Sequence, residues 1–166
     1  MTHLTIRAAT PADAETVHAA ILALGRHLGT ADHIESKPAD LAAHGLAQGG
    51  AFEGLIAEAD SSFAGMCLYL PVFSTWLGRP GVYVQDLWVE PGFRGLKVGE
   101  RLMRRAAAIA RERGATHLRL AVDTHNTGAQ GFYERIGVTH HATDRIHSAY
   151  DDAFQALADA DTEDDR

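Results

Sequence analysis

Cysteine occurs once in the 166 residues, at Cys67, so no disulfide can form within the chain and a reducing cytoplasm is the expected setting. No apolar run approaches the roughly 18 residues that a membrane span needs. The opening MTHLTIRAATPADAET has no basic stretch leading into an apolar one, so neither secretion nor membrane association is expected. Several chemical signatures are also missing. Without GxxxxGK[ST] there is no Walker loop, and without GxGxxG there is no dinucleotide fingerprint. Ten histidines occur, but without HExxH or a Cys/His cluster they do not form a metal motif. His140 and His141 are neighbours on a predicted extended segment and point to opposite faces, so no metal is expected.

Net charge is scarcer than the total implies. The formal charge is −7, from 22 acids against 15 bases, yet residues 151–166 hold seven of the acids and one Arg. Residues 1–150 are left with 15 acids against 14 bases. A nearly neutral body with an acidic tail gives no support to nucleic acid as a partner. A composition of 46% hydrophobic and 22% charged residues is that of one folded domain. We read 1–150 as that domain and 151–166 as an acidic C-terminal tail, in which Phe154 and Leu157 dock a short helix and residues 159–166 fray.

Residues 4–8 fit a short strand, Thr10-Pro11 caps a helix to about residue 28, and Lys37-Pro38 opens a second helix that Gly49-Gly50 ends. Apolar segments 52–59 and 63–71, split by Asp60-Ser61-Ser62, predict a hairpin. Gly78-Arg79-Pro80-Gly81 separates them from a strand at 82–89. A helix over 98–113 places Val98, Leu102, Met103, Ala106, Ile109 and Ala110 on one face and leaves Arg101, Arg104 and Arg111 outside it. A strand at 117–122, a helix near 127–136 and an extended segment around 138–146 complete a mixed α and β chain.

The densest chemical signal is the passage from strand to helix at residues 82–105, VYVQDLWVEPGFRGLKVGERLMRR. Arg94, Gly95 and Gly99 surround the helix start, where unpaired N–H groups and the positive end of the helix dipole suit a phosphate. From Arg94 to Arg113 seven bases meet two acids. The plainer alternative is a solvated face of a surface helix.

These residues resemble a family. Residues 82–137 are similar to the acetyl-CoA-binding core of the GNAT N-acetyltransferase superfamily, whose turn has the form [QR]-x-x-G-x-[GA] and here runs from Arg94 to Gly99. Asn126 and then Phe132-Tyr133-Glu134-Arg135-Ile136-Gly137 resemble the family's N…FYxxxGF element. The stretch FSTWLGRPGVYVQDLWV, residues 73–89, looks most like the polyamine, diamine and thialysine acetyltransferase branch. The resemblance implies a single-domain α+β fold of order β-α-α-β-β-β-α-β-α-β, with a mixed, mostly antiparallel central sheet flanked by about four helices. It also implies acetyl-CoA as cofactor, a homodimer, and acetyl transfer to a primary amine of a small molecule (diamine, polyamine or amino-acid-like) by direct attack in a ternary complex.

Carried over residue by residue, the resemblance makes Leu87, Trp88 and Val89, then Arg94, Gly95, Leu96, Lys97, Val98, Gly99 and Glu100, then Asn126, Phe132, Tyr133 and Arg135 the cofactor-binding set. A backbone N–H near Leu87 is the implied oxyanion donor. Tyr133 is the implied acid for the leaving thiolate, or else a core aromatic. Asn126 contacts the pantetheine amide, caps the helix, or does both. Asp86 is the second catalytic candidate, acting through water, binding the substrate ammonium, or serving only a structural hydrogen bond. Gln85 stands where the branch commonly has Glu and cannot accept a proton at neutral pH. Strand alternation lets only one of Gln85 and Asp86 face the cleft. Trp76 joins these two as a substrate-binding candidate, and His125 is an auxiliary base to test. The sequence departs from the motif at Lys97, which occupies its first glycine. A positive φ there strains a lysine or blocks the phosphate, whereas a right-handed or bridge conformation keeps the N–H and adds an ammonium; the second is expected. Lys97 and Gln85 also leave open a non-catalytic acyl-CoA-binding sensor or interaction module. A wide cleft would suit a protein N-terminus or lysine as acceptor.

Overall fold

The computed structural model describes residues 3–160, which fall into two compact units, Met1–Thr127 and Gly128–Arg166. The first unit is built on a five-stranded sheet whose strands lie in chain order: β1 (Leu4–Ala8), β2 (Glu53–Ala59), β3 (Ser62–Ser74), β4 (Arg79–Val89) and β5 (Leu118–Leu120). Every pairing is antiparallel except β4 with β5. The β2–β3 turn is made by Asp60 and Ser61, both with positive φ (47° and 65°), as a two-residue turn matching the strand twist requires. The predicted break at Gly78 to Gly81 is shorter than expected. Residues 79–81 belong to β4, and the Pro80 carbonyl accepts from the Thr116 N–H at 3.0 Å, so a residue without its own N–H still joins the pairing toward β5.

Helix α1 (Ala14–Leu28) covers one face of the sheet. Ala14, Val17 and Ala20 meet Ile56, Met66, Leu68 and Trp88 there, together with Leu41 and Leu46. The helix ends at Gly29, whose successor Thr30 donates to the Gly25 carbonyl at 2.8 Å. The predicted second helix is cut short. A single turn, α2 (Pro38–Asp40), widens into a π turn over Leu41–Gly45, closed by Leu46 N–H to Leu41 O at 2.8 Å. The Phe52 ring packs against the end of this turn, where a β-carbon on Gly45 would fall 2.1 Å from it.

The opposite face is covered by α3 (Val98–Glu112), with Val98, Leu102, Met103, Ala106 and Ala110 buried and the arginines outside, as the periodicity predicts. Both ends are tied to the sheet. Arg101 donates to the Leu4 carbonyl at 3.1 Å, and Arg113 forms a two-pronged pair with Glu53, which also accepts from the Tyr69 hydroxyl.

The second unit carries most of α4 (Thr127–Arg135), followed by a turn at Gly137, and α5 (Asp151–Asp159). The extended segment expected around 138–146 forms no strand. Val138, Ala142 and Ile146 would share one strand face, but His140 and Asp144 fall on that same face between them, so it offers no continuous apolar surface to bury. Phe154 and Leu157 on α5 are exposed. Beyond Ala160 the expected fraying lies outside the described residues.

The start of α1 is held by Asp13, whose carboxylate accepts from the Thr10 N–H at 2.7 Å and from both Nη groups of Arg7 at 2.8 and 2.9 Å. The Arg7 pairing holds the Asp13 pKa down at about 2, below the ~3.9 of an unfolded aspartate. Its stabilisation is therefore complete above that value and is lost as the pH falls toward 2. Asp13→Asn should cost about 1–2 kcal/mol at pH 7, allowing for the part-exposed Arg7. Urea titrations across pH should show the difference between variant and parent vanishing near pH 2.

Candidate active site

The site begins with a change of phase in β4. Leu68 pairs with Asp86 but Tyr69 pairs with Val84, so Gln85 is an extra residue in the strand, a β-bulge. Hydrogen bonds on either side record its effect. The Val82 N–H points toward β5 and donates to His117 O at 3.0 Å, whereas the Glu90 N–H points toward β3 and donates to Ala64 O at 3.0 Å. An uninterrupted strand would send both the same way, since their separation is an even number of residues. The bulge instead turns the backbone groups of Leu87 and Val89 away from β3.

These groups meet an open edge. Pairing of β4 with β5 stops at Val84 and Leu120, leaving the last five residues of β4 without a partner strand on that side among the described residues. The Val89 carbonyl is taken by Arg94 Nε at 3.2 Å. The Leu87 N–H and C=O and the Val89 N–H remain, an arrangement to which an extended, amide-bearing ligand can add as a strand would.

The open edge leads into an anion-binding turn. After a 3-10 turn at Pro91–Phe93, Gly95 has φ 83° and Lys97 has φ 60°, ψ 18°. The right-handed or bridge conformation expected for Lys97 is therefore corrected: the backbone takes the left-handed shape that the glycine of the motif would have taken. Lys97 is the cap residue through which the chain passes from the turn into α3. An L-residue strains there by roughly 1–2 kcal/mol. Lys97 is exposed. No side chain caps α3, so its first N–H groups, from Val98, Gly99 and Glu100, stay available at the positive end of the helix dipole. Val98 and Gly99 are buried and contribute backbone only, Leu96 is half exposed, and Glu100 turns its carboxylate to Arg104 at 2.5 Å. Trp88 does not join the direct contacts expected of it. Its backbone lies in the β3-facing phase and its side chain is in the core, only 7% exposed.

Asp86 is half-buried opposite Leu68, and burial raises its carboxyl above the usual carboxylate range. Gln85 is exposed. Because the bulge falls between them, strict alternation does not govern this pair, and the rule that only one can face the cleft does not hold here. Cys67, paired with Leu87 and buried, has its thiol pushed up to about 12 by burial and by the neighbouring Asp86, so it is inert at neutral pH. Trp76 stands at the tip of the β3–β4 hairpin, 99% exposed, and among the described residues it forms no wall of an amine pocket.

Past β5, the Asp123 carboxylate accepts from the His125 N–H at 2.7 Å and lies 3.2 Å from His125 Nδ1, while Asn126 N–H donates to Asp123 O at 3.0 Å. This turn brings His125 and Asn126 together at the end of the unit. In the second unit, Phe132 and Tyr133 meet edge to face, with ring centroids 5.1 Å apart, and Arg135 is exposed. Two residues beside the turn escaped the sequence reading, His27 and Glu90, both in contact with Trp88. His27 lies 61 positions upstream of Trp88, and no motif marks it.

Comparison with known proteins identifies this arrangement. The description of the acetyltransferase (GNAT) family matches residues 22–138, well over half of the chain. The chain is 29% identical over 145 residues to thialysine N-epsilon-acetyltransferase of Sus scrofa, covering 82% of this chain and 85% of that protein. Among solved structures it is similar to an integron cassette protein from the mobile metagenome of V. cholerae (TM-score 0.78, 19% identity, 93% and 97% of the two chains). It is also similar to an aminoglycoside N-acetyltransferase in complex with CoA (TM-score 0.65, 18% identity, 92% and 97%). The fold is that of an acyl-group transferase. The chain belongs to the GNAT family and is an acetyl-CoA-dependent N-acetyltransferase. Among the described residues no helix is long and apolar enough to cross a membrane.

The strain at Lys97 can be separated from its charge. Lys97→Gly should leave stability unchanged or raise it by up to about 1 kcal/mol, because relief of strain is offset by a more flexible unfolded chain. The same variant should bind CoA several-fold more weakly in calorimetry, with a smaller dependence of affinity on salt. Tighter binding would mean that the lysine obstructs the turn.

Proposed function

We propose that the protein transfers the acetyl group of acetyl-CoA to a primary amine of a small molecule, a diamine, polyamine or amino-acid-like compound, by direct attack in a ternary complex. The observation that carries this reading is the continuous path from the open edge of β4 at Leu87 and Val89 to the uncapped start of α3, with the half-buried Asp86 on the same strand. The pig relative's name, a thialysine N-epsilon-acetyltransferase, supports an amine acceptor of this kind.

The donor set fits the cofactor. Strand-edge N–H and C=O groups suit the amides of a pantetheine arm, and the N–H groups of Val98, Gly99 and Glu100 with the cations Arg94 and Lys97 suit its pyrophosphate. Leu96 and Gly95 shape the turn, and Asn126 beyond β5 is assigned an amide of the arm by its place in the motif. Phe132, Tyr133 and Arg135 enter through their motif. When bound, acetyl-CoA supplies a thioester-activated acetyl group. The Leu87 N–H donates toward the carbonyl oxygen on which negative charge develops. Asp86 draws the acceptor's amine to the strand and takes a proton from it through water, a role suited to a carboxyl whose affinity for protons is raised by burial. Gln85, exposed beside it, donates or accepts hydrogen bonds to the rest of the acceptor. The Tyr133 hydroxyl supplies the proton for the departing thiolate, an assignment that rests on its place in the FYERIG element. The reading carries with it a cytoplasmic homodimer.

Thermal stabilisation by acetyl-CoA, followed by CoA release with diamines, amino acids and aminoglycosides, tests the proposal, and no stabilisation at millimolar acetyl-CoA would overturn it. Removing the charge at Asp86 should lower turnover while relieving a buried carboxylate. Asp86→Asn is thus expected to lose about tenfold or more in kcat/KM with an unchanged or higher melting temperature. Tyr133→Phe should lower kcat by roughly ten- to a hundredfold with little change in CoA affinity.

A further inference from the structure

Trp88 sits between two things that the proposed chemistry needs to keep in register, the sheet core and the anion-binding turn. One end of the indole is fixed by a hydrogen bond, Nε1–H to Glu90 Oε1 at 2.9 Å. The His27 ring, from the last turn of α1, meets it edge-on with centroids 6.1 Å apart and planes at 64°. The guanidinium of Arg94 lies over the ring at 5.0 Å from its centroid, within the range of a cation–π contact. Arg94 is also held at Nε by the Val89 carbonyl. Two restraints therefore fix the arginine through its Nε edge and the face of its plane, while its two Nη groups meet no acceptor among the described residues. A long, flexible side chain at the surface normally spends its rotamer freedom when it binds an anion. Here that freedom is already restricted before a ligand arrives.

We propose that Trp88, oriented by Glu90 and His27, is a positioning residue that holds Arg94 in place for the phosphate end of the cofactor. This inference rests on the reading of Arg94 as a phosphate ligand. The ring touches neither the reacting atoms nor the cofactor, so its effect is on affinity for the phosphate-bearing part and not on the transfer step. Glu90 and His27 act one contact further away, by fixing the orientation of the ring.

The test is a double-mutant cycle on the full chain, read as the affinity for CoA and, separately, as kcat at saturating acetyl-CoA. Trp88→Leu should weaken CoA binding about tenfold, a loss in keeping with a partly desolvated cation–π contact, with kcat changed less than about twofold. Trp88→Phe, which keeps a ring for Arg94, should restore most of the affinity. In an Arg94→Ala background Trp88→Leu should have almost no further effect on affinity; a full additional loss there would overturn the proposal, because Trp88 would then act independently of Arg94. Should Trp88→Leu fail to fold, Glu90→Ala and His27→Ala remove the ring's supports at exposed or half-buried positions and should each cost CoA affinity two- to fivefold, by the same coupling, and only when Arg94 is present. The same loss for S-acetylpantetheine, which lacks the phosphates, would overturn the proposal as well. If Arg94→Ala alone leaves CoA affinity unchanged, the phosphate-ligand reading itself fails, an outcome distinct from additivity in the cycle.

Discussion

The bulge at Gln85 is the feature on which the site depends. A sheet strand in the middle of a domain normally spends its hydrogen-bonding groups on both neighbours, and β4 does so as far as Val84. One extra residue then moves the outward-facing phase onto Leu87 and Val89 just where β5 stops running alongside. Unpaired backbone groups inside a sheet would be costly if buried without partners. At an open edge they become a binding surface. The bulge also releases Gln85 and Asp86 from strict alternation, which leaves a half-buried carboxyl next to that surface. Although residues 1–150 are nearly neutral, positive charge and available N–H groups are gathered at one strand-to-helix passage, which is what the proposed binding of a highly anionic cofactor requires.

The rest of the first unit keeps that passage in place. Helix α3 is buried along one face and pinned near its start by Arg101 on Leu4 and beyond its end by Arg113 on Glu53. Helix α1 covers the other face and brings His27 to Trp88. Within the strand-to-helix passage, strain falls at the turn, where Lys97 holds a left-handed backbone. That is the usual place for a cost tolerated in exchange for geometry. Under the proposed reading, relaxing the turn and removing its charge have opposite consequences, so stability and cofactor affinity become separable at one residue.

Much of the fold was legible because its signals are local. Thr10-Pro11 marks a helix start, Asp60-Ser61 marks a tight hairpin, and the spacing of Val98, Leu102, Met103, Ala106 and Ala110 marks a buried helix face. The π turn at Leu41–Gly45 was not legible, since no local residue pattern marks it and the close approach of Phe52 to Gly45 is visible only in the fold. The absent strand at 138–146 has a local sign in His140 and Asp144, which interrupt the face that Val138, Ala142 and Ile146 would share, but the motif preceding it led to the expectation of a strand. At the site, the residue types from Arg94 to Gly99 announced an anion-binding turn, whereas the conformation of Lys97 is set by how β4 and α3 meet. The bulge could not be read from the sequence of β4, because QDLWV runs two polar residues into three apolar ones and so defines no alternating phase to be broken. Only the register against β3 reveals it, and with it the reason that Leu87 and Val89, not Trp88, face outward.

If the re-phased edge of β4 pairs with the cofactor, amide hydrogen exchange followed by NMR, with and without acetyl-CoA, shows it most directly. The Leu87 and Val89 amides should exchange markedly more slowly when acetyl-CoA is bound, while those of Trp88 and Glu90, already bonded toward β3, should change little. Saturation with acetyl-CoA that leaves the Leu87 and Val89 amides unprotected would contradict this pairing.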